Sequence, residues 1–210
     1  MLFGFLLLVF LGTGVAIWFQ GLWNAAITLV NLLLAMLVAS NYWEPLTTLI
    51  EGLAGQGYTY LLDVVVLWIL FAVTFGILRT ITDTLSKKPI KFMMPVEMGG
   101  RSVLAIWCGW LMLCFVTFSM QMAPLAQVEP LGAWASPSTS SFIGMNPDRM
   151  WLGFLQSRSR GALSRGNFSG TRHPEDVDLD VETFDPNSEF LMKYRHRRER
   201  NASFEGVLAQ

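Results

Sequence analysis

No charged residue occurs between Met1 and Trp43. A water-soluble surface of that length without charge is excluded, and the run belongs in lipid or inside a membrane bundle. Cysteine is nearly as scarce: Cys108 and Cys114 are the only two. They stand six apart in one apolar run, where helical spacing points them about 240° apart, so no disulfide is implied. The two histidines, His173 and His196, stand alone without a catalytic or metal partnership. Also missing are a Gly-x-Ser-x-Gly elbow, a phosphate loop, a His-Glu-x-x-His pair and any metal cluster. The sequence therefore predicts no enzyme, no cofactor and no metal site.

What is present is apolar and unevenly spread. Of all residues 52% are hydrophobic and 15% charged, with a net charge of -1. Residues 1–122 hold only ten of the thirty-one charged side chains, and residues 123–210 hold the other twenty-one. This divides the chain into a transmembrane domain at 1–122, a linker at 123–145 and a polar tail at 146–210. The first apolar run lacks the basic start and small-x-small cleavage site of a signal peptide, so it is read as a membrane segment.

Four segments pass the length test for a spanning helix: 2–19, 22–40, 58–78 and 102–122. A single helix over residues 1–43 would be about 64 Å long, against a bilayer core of about 30 Å, so a fold-back is expected at Gln20-Gly21. The connector at 41–57 carries Glu44 and Glu51 and no base, whereas residues 79–101 carry Arg79, Lys87, Lys88, Lys91 and Arg101 against Asp83 and Glu97. The positive-inside rule places the latter in the cytoplasm, and parity puts the amino terminus and the tail outside. The basic stretch "KYRHRRER" would suit a cytoplasmic surface, but charge that far from a span is a weak determinant.

Within the spans, Asn24, Thr28, Asn31 and Ala35 follow helical spacing and form one small or polar stripe. They suit a helix-helix seam in which Asn31 hydrogen-bonds across; the rival reading is an amide-lined path for a solute or ion. The seam is favoured because a path more often includes a buried ionisable group. The pairs Gly12 with Ala16, Ala72 with Gly76 and Ala105 with Gly109 have the small-xxx-small spacing of closely packed helices. Asp63, the single carboxylate within a span, is expected at the interface, solvated rather than relaying protons.

Gly21, Leu22, Ala26 and Leu29-Val30, followed by "LVASNYWEPL", resemble the second helix of the colicin V production protein family of bacterial membrane proteins. The similarity covers roughly residues 1–122. In that family an acidic residue introduces a fourth helix with glycines four apart; here Glu97 stands near the acidic position and Arg101, Ala105 and Gly109 occupy the series, with only Gly109 keeping the glycine. Gln20, Asn24 and Ala25 replace charges common around the family's first turn. The resemblance implies a multi-pass protein of the bacterial inner (cytoplasmic) membrane, an accessory or structural component linked to bacteriocin or toxin export and envelope maintenance, with no established catalytic residue.

After Met122, "APLAQVEPLGAWASPSTSS" reads as an extended linker. Asn146 as N-cap and Pro147 at the first helical position start a short helix with Met150, Trp151, Phe154 and Leu155 on one side, suited either to the membrane surface or to the bundle. "SRSRGALSRGNFSGTR" reads as a flexible linker rather than a nucleic-acid arm. The run "PEDVDLDVETFD" resembles a half-exposed strand and lacks calcium-loop spacing. Asp185 and Pro186 can begin a helix that ends in the basic cluster. The fold class expected is an all-α membrane protein with four transmembrane helices and a polar, partly disordered C-terminal tail. Its expected partners are the lipid bilayer, a second copy of the chain and other envelope or export proteins, with no nucleic acid. The alternative function is a small oligomeric channel or carrier lined by Asn24, Thr28 and Asn31.

Overall fold

The structure, a computed structural model, describes residues 2–54, 59–86, 93–122, 142–159 and Phe190. Among these residues the chain forms five α-helices and no strand: α1 Leu2–Trp18, α2 Leu22–Ala54, α3 Thr59–Leu85, α4 Met94–Met122 and α5 Pro147–Ser159. Three stretches are long and apolar enough to cross a membrane, Leu22–Gly52, Leu62–Leu85 and Met94–Met122. That is the make-up of a multi-pass membrane protein. At 17 residues α1 is apolar but shorter, about 24 Å end to end and so less than the roughly 30 Å hydrocarbon core.

The fold-back expected at Gln20-Gly21 is present. Gly21 has φ +80°, a left-handed conformation that costs a residue with a Cβ but not glycine. Its carbonyl accepts the amide of Ala25 at 2.9 Å, which starts α2 immediately.

Every later helix outruns the span expected for it. α2 does not stop near Ser40 but continues through Pro45 to Ala54. Proline removes one backbone bond and crowds the preceding turn. Against this, Trp43 and Thr47 remain buried on one side of the helix, with Ile50 packed against the same core. Side-chain burial at three- to four-residue spacing carries the helix past a residue that would end it locally. α3 likewise continues past Leu78, with Arg79 paired to Asp83 one turn on, at 3.0 Å. α4 begins at Met94, two turns before Ser102, and Glu97 lies in its first turn, where negative charge suits the helix dipole.

α1 packs against α4, α4 also against α2 and α5, and α2 against α3. The α1–α4 seam depends on Gly109: a Cβ there would come 2.9 Å from the Phe10 carbonyl oxygen. One step along, the Ala105 carbonyl oxygen lies 3.5 Å from where a Cβ on Gly14 would be. Of the three small pairs, Ala105 with Gly109 thus lies on a seam. Gly12 and Gly76 face open space, because the glycine of α1 that meets α4 is Gly14.

Continuing this antiparallel register, α4 overshoots the start of α1. The space beyond α1 is closed by Phe142, buried against Leu2, Leu6, Leu113 and Val116 and stacked on Phe3 at 5.3 Å. Phe142 opens a tight turn whose amide and carbonyl both pair with Met145, with φ positive at Ile143 and Gly144. By its packing, this turn at the end of the expected linker belongs with the bundle. The expected acidic strand, both histidines and all of the basic C-terminal helix except Phe190 lie outside the described residues.

Candidate functional site

Polar side chains gather at the two ends of the bundle, and α2 contributes to both. Along α2, Trp23 and Trp43 are twenty residues and hence about 30 Å apart, the thickness of a hydrocarbon core. Each end carries its own indole hydrogen bonds: Trp23 Nε1 donates to Ser86 Oγ at 2.7 Å and Trp18 Nε1 to Ser102 Oγ at 3.1 Å, while at the far end Trp151 Nε1 donates to Ser40 Oγ at 3.1 Å.

The first end contains most of the sequence-predicted candidates. Asn31, 2% exposed, donates from Nδ2 to Thr82 Oγ1 of α3 at 2.9 Å. Thr28, 3% exposed, has its hydroxyl 2.7 Å from the Asn24 carbonyl and 3.0 Å from Gln20 Oε1, and it accepts a hydrogen bond from Arg79 Nη1 at 2.6 Å. Arg79 also reaches Gln20 Oε1 at 3.5 Å, and its Nε is held by Asp83. Asn24 enters only through its backbone carbonyl. The stripe therefore meets α3 through Thr28 and Asn31, while Ala105 and Gly109 form a separate, apolar contact with α1.

Sequence reasoning placed Arg79 in a connector and Gln20 in a turn, and so missed that both complete this cluster. The available signal was the spacing of Arg79, Thr82 and Asp83, one face of a helix continued past its apolar run. Asn31 lies one turn deeper than Thr28 and takes a short hydroxyl partner. The long Arg79 side chain brings its charge to Thr28 while remaining partly open to the surface.

The second end was not foreseen as a site. Asp148, in the first turn of α5 and 3% exposed, accepts from Gln121 Nε2 at 3.0 Å through one carboxylate oxygen. Its other oxygen is buried with no partner among the described residues. Beside it Trp151 is fully enclosed, edge-on to Phe115 at 6.3 Å, and Phe190 stacks on Phe118 at 5.2 Å. Of the two settings open to α5, packing on the bundle is the one observed: Trp151 and Leu155 join the main core, while Met150 points outward. Asp63 corrects the solvated reading, being 4% exposed at the start of α3. In the antiparallel α2–α3 register it falls near Thr47, where protein encloses it.

Cys108 and Cys114 are both free and buried in α4. Among the described residues no group of three or more His, Cys, Asp or Glu side chains could hold a metal ion. Comparison with protein-family models, curated proteins and solved structures finds no match.

Proposed function

We propose that this chain is an accessory or structural component of a bacterial inner-membrane envelope system, of the bacteriocin-export kind implied by its resemblance to colicin V production proteins. In this reading α1 is a fourth span, drawn across the bilayer by its seam with α4, and the ends carrying Arg79 and Arg101 face the cytoplasm. One observation carries the choice over a channel or carrier: the Thr28 hydroxyl and the Asn31 Nδ2 group are engaged by α3 within the chain. A hydrophilic path needs such groups turned towards a solute, whereas a seam uses them against a neighbouring helix.

Two measurements test this. Purified full-length chain in proteoliposomes should pass entrapped monovalent ions and small dyes no faster than empty liposomes; protein-dependent flux would overturn the structural reading in favour of a carrier or channel. In a bacterial strain that makes colicin V but lacks its own production protein, expression of this chain should restore the secreted zone of killing. Failure there, with the protein inserted in the membrane, would remove the export link.

A further inference from the structure

The two arginines at the Gln20-Gly21 end are treated very differently by the fold. Arg79 is engaged by Asp83, Thr28 and Gln20. Arg101 lies with its guanidinium carbon 4.0 Å above the Trp18 ring, and its Nε is buried with no hydrogen-bond partner among the described residues. Among the described residues the ion pair is Arg79 with Asp83; Glu97, one turn before Arg101 on α4, does not reach it. A cation–π contact orients a guanidinium but accepts none of its N–H groups, and the Nη groups of Arg101, which are not buried, have no acceptor among the described residues.

The position of Arg101 limits what that acceptor can be. Arg101 and Met122 are twenty-one residues apart on α4, about 32 Å, so with one at one edge of the hydrocarbon the other is at the opposite edge. Phospholipid phosphates lie just beyond that edge. Ser102, next in sequence, takes the Trp18 indole N–H and so holds the ring beneath the guanidinium. The surroundings thus offer a phosphate a cation held over a fixed ring.

We propose that Arg101 over Trp18 is a binding site for a phosphate oxyanion, and that its place at the bilayer edge makes the natural occupant the headgroup phosphate of an anionic phospholipid. Guanidinium matches a phosphate through two parallel N–H donors, which a lysine would not do, and a ring beneath its carbon takes up none of them. A zwitterionic headgroup carries a compensating cation that the arginine repels, so anionic lipid is preferred. The site depends on α1 and α4 lying in a bilayer and not on the export role, so loss of colicin V complementation would leave it standing.

The test uses the purified full-length chain and counts retained lipid by native mass spectrometry after exchange into phosphatidylglycerol, phosphatidylcholine or sodium phosphate. Wild type should hold phosphatidylglycerol in preference to phosphatidylcholine; no preference would overturn the proposal without recourse to any variant. Arg101→Gln should reduce that preference by roughly tenfold, as expected for loss of a charge-assisted hydrogen bond. Arg149→Gln, on the exposed side of α5, should leave it unchanged. Equal retention by Arg101→Gln and wild type would overturn the assignment to Arg101. Displacement of phosphatidylglycerol by sodium phosphate would keep the phosphate chemistry and overturn the lipid as its source; retention in excess phosphate supports the lipid.

Discussion

At the Gln20-Gly21 end, polar side chains meet from helices that are neighbours within the bundle, Asn31 with Thr82 and Thr28 with Arg79. At the opposite end the bundle's polar groups meet a segment that returns from the polar half of the chain: Gln121 of α4 bonds Asp148 and Ser40 of α2 bonds Trp151, both partners on α5. The difference teaches where hydrogen-bond partners come from in a short helical bundle. At the first end α3 continues past Leu78 alongside the start of α2, so each supplies the other. At the second end α1 falls short, and Phe142 and α5 cover what the helices leave open. The first end is consequently a seam between helices, and the second a cap held by aromatic burial.

Breaking the cap should have the largest effect. Trp151→Ala removes a fully buried indole and its bond to Ser40, for which about 3–5 kcal/mol of destabilisation is expected. Hydrogen exchange should rise first in residues 142–159, with α2–α3 protection around Asn31 retained. Equal loss at both ends would mean that the cap and the seam are one cooperative unit.

An intermediate effect is expected from Gly109→Val, which touches neither end directly. The added side chain meets the Phe10 carbonyl, and backbone cannot give way as a flexible side chain can. Overpacking of this kind costs about 1–3 kcal/mol. The separation of α1 from α4 should show as a lower melting temperature in detergent and as new labelling of Cys108 by a membrane-permeant thiol reagent, since Cys108 is otherwise fully buried in α4. Unchanged melting would show that α1 is not fixed by this contact.

The smallest effect belongs to Asn31→Leu. Loss of the bond to Thr82 should lower stability by roughly 0.5–2 kcal/mol, because better accommodation of leucine in an apolar setting offsets part of it. The cap should be untouched, and liposome flux should stay at the empty-vesicle level. A mutant that melts like wild type but alters flux would replace the seam with a path and remove the contrast between the two ends.

Local composition is enough for some elements. Absence of charge to Trp43 marks two apolar helices, Gly21 after Gln20 marks the fold-back, and Asn146-Pro147 marks the start of α5. Helix ends were legible only where a local breaker also ended the packing. Pro45 did not, since Trp43 and Thr47 stay buried on either side of it, and neither did the charge at Arg79, whose partners lie on α2 and at the turn. The amide stripe on α2 was visible as a periodicity, but which helix would face it was not. One small pair in three lies on a seam, because small residues permit close approach without specifying the neighbour. Packing alone decides that Gly14 meets Ala105, that Asp63 is enclosed, that Asp148 holds Gln121 and that Arg101 lies over Trp18. Periodicity along a helix records which face is buried; partners distant in sequence are chosen by helix length and register, and these are fixed only when the helices pack.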